Sequence, residues 1–130
     1  MKLIHCADLH LDSDMTSNLT KEKAKERRTE LLVTFQRMIT YAKENDVHHI
    51  LISGDLYDKK NISSTARNVF LTAVTDNQDI IFYYLKGNHD AESLFIGMNK
   101  IPDNLKLFGT EWTEYKITSE KDNNNIVISG

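Results

Sequence analysis

The stretch Ile50-Leu51-Ile52-Ser53-Gly54-Asp55-Leu56-Tyr57-Asp58 decides the fold class. The run from His49 to Ser53 that opens it is short and apolar with branched side chains, the mark of a buried strand rather than a helix. Gly54 ends the run where the backbone must turn sharply, and two carboxylates follow at once. Working outward, the same succession occurs twice more. Lys2 to Ala7 is a short apolar run closed by the polar cluster Asp8 to Asp14, and Asp79 to Leu85 is a third run ended by Gly87.

Between these runs the pattern changes period. From Lys21 to Glu44, Leu31, Phe35, Met38 and Ala42 recur at helical spacing, with Leu32 and Ile39 widening the stripe and Thr20 placed to cap it. A second helix starts near Ser63 or Ser64 and turns Ala66, Val69, Phe70, Ala73 and Val74 inward. Strand, helix, strand, helix, strand predicts an α/β fold with a mostly parallel sheet, flanking helices and right-handed crossovers. After Asp90 a short helix to about Met98 and a turn at Pro102 are expected. The chain then changes character. Trp112 to Thr118 and Ile126 to Ser129 read as strands joined by the Asn-rich turn Lys121 to Asn125, a terminal β-hairpin. Trp112 and Tyr115 fall on opposite faces of their strand, so at most one packs inward.

Composition bounds the function. With 130 residues the chain is one domain or a piece of a larger one, and 40% apolar content suffices for a packed core. A net charge of −3 argues against a constitutively basic nucleic-acid module, although bound divalent metals would supply local positive charge. The single cysteine, Cys6, cannot form an internal disulfide, so a reducing cytosol fits. With Ile4 and Ala7 near it at the end of a strand, it reads as a buried thiol rather than a nucleophile. The apolar run at the N-terminus is too short for a signal peptide, and nothing approaches the ~20 apolar residues a membrane span needs. A soluble, cytoplasmic protein without membrane contact is expected.

Three clusters carry the chemistry. Asp8-Leu9-His10 follows the first strand, Gly54-Asp55-Leu56-Tyr57-Asp58 the second and Gly87-Asn88-His89-Asp90 the third. In an open parallel sheet, loops at the carboxyl ends of the strands line the ligand crevice. Carboxylates and an amide oxygen are hard donors and imidazole a borderline one, a mixture suited to manganese, iron or zinc. Asp8 and His10, two apart on an extended backbone, would point the same way. Each cluster alone is more often an ordinary loop or turn. All three together, in order and each after its own strand, are not.

The constellation resembles the calcineurin-like metallophosphoesterase superfamily, whose pattern runs Asp-x-His, Gly-Asp-x-x-Asp, then Gly-Asn-His-Asp or Gly-Asn-His-Glu. The resemblance covers Met1 to about Gly97 and implies part of an α/β/β/α sandwich around two divalent metal ions. By that likeness Asp8 and His10 would bind the first metal, Asp55 would bridge both, and Asn88 would bind the second. His89 would face the substrate phosphate, oriented by Asp58, and protonate the leaving oxygen. A narrower likeness lies in the flanks. Ile4 to Ser13, the Arg27-Arg28 pair leading into Glu30, Leu31 and Phe35, and the run from Ile50 to Asp58 are similar to the SbcD-type and YhaO-type exonucleases of bacteria. Those enzymes cut DNA with manganese and work as dimers beside an ATPase partner, which implies DNA as substrate here.

The pattern also has an absence. The superfamily's later ligands are a lone His and a Gly-His-x-His cluster, and no histidine follows His89. His5 sits inside the first strand, and His48 and His49 open the second, at the end opposite the site. The expectation is that residues 1–130 form the N-terminal part of the domain, holding the second metal poorly and hydrolysing slowly if at all. Lys59 and Lys60 follow Asp58 at the rim and could touch a substrate backbone, though two lysines in a solvated loop are commoner. The run Lys21 to Arg28 interleaves lysines with glutamates and reads as a solvated helix face. Three functions compete: a DNA phosphodiesterase, an esterase for a small phosphodiester, nucleotide or phosphoprotein, and an inactive binding or assembly module.

Overall fold

The computed structural model describes residues 1–15, 18–58, 62–87, 92–95, 98–119 and 125–130. Strands β1 (Ile4–Cys6), β2 (His49–Ser53), β3 (Ile81–Leu85) and β4 (Leu105–Phe108) form one sheet in that order. Every pairing in it is parallel. Helix α1 (Lys21–Glu44) links β1 to β2, and α2 (Ser64–Thr75) links β2 to β3. The expected α/β architecture is the one observed.

The helices share one face of the sheet. Phe35, Ile39 and Ala42 of α1 and Ala66, Phe70 and Val74 of α2 form a core with Ile50, Ile52, Phe82, Tyr84 and Leu105. These are the alternate residues of the strands, as a two-residue side-chain period demands. Phe70 is its hub, with ring centroids 6.0–6.5 Å from Phe35, Tyr57, Phe82 and Tyr84. The opposite face is partly covered by an antiparallel hairpin, β5 (Glu114–Thr118) and β6 (Asn125–Ser129). Tyr83, Phe108 and Ile117 form a second, smaller cluster there.

Both helix starts are as the sequence requires. Thr20 accepts from the amide of Lys23 and Ser63 from that of Ala66, each satisfying an amide the helix cannot. Helix α1 ends with Asp46 in the left-handed region (φ 54°) and the Val47 amide bonded back to Ala42, a Schellman closure. Its charged first turns are not wholly solvated, since Ala24 is buried.

Two expectations need correction. Strand β4 was not anticipated, because four residues just after the Pro102 turn carry too little pattern to separate from a loop. In the fold, Leu105 and Phe108 are buried and complete the two cores. Asn104, also buried, gives its side-chain amide to the carbonyls of Val74, Asn77 and Ile80, fixing β4 against the end of α2. The hairpin strand starts at Glu114 rather than Trp112, which is 74% exposed, while Tyr115 packs against Tyr83 and Phe108.

Candidate metal centre

The carboxyl ends of β1 and β2 are laced together beyond the strands themselves. The amides of Asp8, His10 and Leu11 donate to the carbonyls of Gly54, Asp55 and Leu56 at 3.3, 3.0 and 2.9 Å. The amide of Gly54 in turn donates to Leu85 at the end of β3. Apolar residues alternate with the polar ones and root both loops in the core: Leu11, Leu56 and Tyr57 are at most 3% exposed. The polar side chains between them are held at the surface by that anchoring.

The result is a convergence. Asp8, His10 and Asp55 each offer a ligand atom, and the three atoms lie within 4.8 Å of one another. Two carboxylates and an imidazole at that separation suit a divalent cation of the manganese, iron or zinc kind.

The backbone that achieves this is not the extended one the sequence suggested. Asp8, His10 and Asp55 all have left-handed φ angles, 54°, 44° and 47°. Such conformations cost a non-glycine residue about 1–3 kcal/mol each and gather at functional sites when the surroundings enforce them. The side chains converge because each loop is curled and bonded to its neighbour. Gly54, at φ 83°, supplies the sharp turn expected of it. Gly87 has a different reason to be glycine. A Cβ there would lie 2.2 Å from Asp55 Oδ1 and 2.3 Å from the Asp55 amide nitrogen, so the end of β3 presses directly against the central carboxylate.

Asp58 Oδ1 stands 2.6 Å from Nδ1 of His10, with both side chains about one-third exposed. The ring N–H is not aimed for a well-formed hydrogen bond, so the contact is electrostatic in character. It leaves Nε2 as the other donor of the ring. A carboxylate beside the far nitrogen of a ligand histidine is the usual way such a ring is oriented. The expected pairing of Asp58 with His89 lies outside the described residues. So do Asn88, His89, Lys59 and Lys60 themselves.

Among the described residues, the other histidines, His5, His48 and His49, stand apart from this centre. His5 Nε2 meets Ser53 Oγ at 2.8 Å, and His48 Nδ1 meets the Asp79 carbonyl. His49 contacts Tyr83 Oη, and its pKa is lowered by burial first and by the neighbouring His48 second. Cys6 donates to the Leu51 carbonyl, and burial pushes its thiol up to about 11, an inert group. Asp12 lies in the flanking run Ile4 to Ser13, outside the three motifs. It is 5% exposed, and its Oδ1 accepts from the amide of Asp58 at 2.7 Å. An acidic residue wedged between apolar Leu11 and the following turn was the available signal.

Comparison with known proteins agrees with the geometry. The model of the calcineurin-like phosphoesterase family matches residues 1–130. The chain is 31% identical over 121 residues to the Bacillus subtilis (strain 168) metallophosphoesterase YhaO, covering 89% of this chain. It spans 29% of the length of that relative.

Proposed function

The chain belongs to the calcineurin-like phosphoesterase family, and on that premise we propose that it is a metal-dependent phosphodiester hydrolase acting on DNA. The observation that carries this reading is the meeting of Asp8, His10 and Asp55 within 4.8 Å, two strands' loops delivering three suitable donors to one point. In the proposal Asp8, His10 and Asp55 would hold one cation, and Asp55 with Asn88 would help to hold a second. A carboxylate placed near both would offset the mutual repulsion of two cations. When bound, such a pair would supply a hydroxide at neutral pH and positive charge for the phosphate.

The protein groups do the rest. Asp58 steadies His10. His89, next to Asn88 in sequence, faces the phosphate, stabilises charge on its oxygens and gives a proton to the leaving oxygen. DNA is favoured by the likeness of residues 4–13 and 50–58 to bacterial exonucleases, and with it an ATPase partner and a homodimer. The net charge of −3 favours a second reading, a small phosphodiester that needs no extended basic surface.

The test is incubation of the full-length protein with manganese and either linear duplex DNA or bis(p-nitrophenyl) phosphate, with H89A as control. Metal-dependent shortening of the duplex, lost in the variant, supports the first reading. Turnover of the small ester alone supports the second, and neither supports a non-catalytic module.

A further inference from the structure

Asp12 belongs neither to the proposed ligands nor to the proposed catalytic groups, yet it is the one buried carboxylate among the described residues. The turn from His10 to Ser13, closed by the Ser13 amide on the His10 carbonyl, swings its side chain beneath the loop that follows β2. There Oδ1 accepts the Asp58 amide at 2.7 Å across 46 residues of sequence, while Oδ2 is buried with no hydrogen-bond partner. A buried carboxylate with one oxygen unsatisfied is costly, and a purely apolar residue would fill the space more cheaply. Its retention in the fold therefore asks for a reason.

The reason is in what the bond holds. Asp58 touches His10 at Nδ1. Asp55, three residues earlier, meets Asp8 and His10. Backbone bonds fix the first half of this loop, at Asp55 and Leu56. In its second half, the Asp12 carboxylate accepts the amide of Asp58. We propose that Asp12 is a positioning residue of the metal centre, clamping the Asp55–Asp58 loop so that Asp58 orients His10. This inference rests on the metal-site reading above.

The role belongs to the acceptor atom, which an amide side chain retains at Oδ1. Binding of manganese to this chain is measured by calorimetry, the site geometry by the visible spectrum of bound cobalt(II), and folding by far-ultraviolet circular dichroism. The unaltered chain, D12A and D12N are compared. D12A is expected to stay folded, bind manganese about 10–100-fold more weakly and give a changed cobalt spectrum, as loss of an outer-sphere partner does. D12N is expected to fold, bind within about threefold of the unaltered chain and keep its spectrum, because the acceptor survives. A folded D12A with unchanged affinity and spectrum overturns the proposal, and so does a D12N as weak as D12A. An unfolded D12A also overturns it, making Asp12 a folding residue. If the unaltered chain binds no metal, the metal-site reading fails and this inference with it. Binding by the unaltered chain with no response to Asp12 sinks the inference alone.

Discussion

Gly87 and Asp55 are in contact across two strands: a methyl group on the glycine would overlap the aspartate's amide nitrogen at 2.3 Å. The first residue of the third motif thus forms the wall behind the central carboxylate of the second. Gly87→Ala must push that carboxylate or the backbone aside, and backbone does not yield cheaply. The expected cost is about 1–3 kcal/mol of stability, typical of overpacking. A larger proportional loss of manganese affinity should accompany it. Urea denaturation and metal titration of the variant check both, and an unshifted midpoint with unchanged affinity would contradict the contact.

The Asp58 carboxylate at His10 Nδ1 predicts a second effect. Asp58→Asn removes the charge with little change in shape. Manganese affinity should fall about 10–100-fold, as for other carboxylates behind a ligand histidine. The circular dichroism spectrum should not change. Equal affinity would show that His10 needs no orienting partner.

Cys6 gives a pH-dependent prediction. Burial lifts its thiol from an ordinary 9.0 to about 11, so at pH 8 the folded chain holds about 100-fold less thiolate than the unfolded one. Alkylation by iodoacetamide should be slower by about that factor until urea is added. The sign for stability follows: the contribution of Cys6 is full below pH 9 and is lost as pH rises toward 11, where the unfolded thiol ionises first. Rapid alkylation of the native protein would refute the burial.

Asp46 closes α1 in a left-handed conformation with its side chain exposed. Asp46→Gly relieves that conformation at a position where glycine is the usual choice, and should add about 0.5–1 kcal/mol. A lower thermal midpoint would contradict the closure described.

Much of this was legible in the sequence, for reasons that separate cleanly. Strands β2 and β3 and helix α1 are long enough for their periodicity to show, and Thr20 marks where the helix begins. Strand β4 escaped because Leu105 to Phe108 is only one short apolar run, and its place is set by Asn104 reaching carbonyls up to 30 residues away. The convergence of Asp8, His10 and Asp55 followed from motif order and strand direction. The means of convergence did not. Left-handed φ angles at Asp8, His10 and Asp55 come from hydrogen bonds between two loops, and no local propensity of aspartate or histidine announces them. Asp12 was overlooked for the same reason, its partner being the amide of a residue in another loop.

The central claim is that Asp8, His10 and Asp55 make one cation site, and manganese binding to this chain measures it most directly. Titration of the unaltered chain beside Asp8→Ala, His10→Ala and Asp55→Ala should give saturable binding that raises the thermal midpoint by several degrees at ~100-fold excess over Kd. Each substitution should weaken it at least about tenfold, with Asp55 the most damaging because both proposed cations share it. Binding of equal strength in all four proteins, or none in the unaltered chain, would contradict the account.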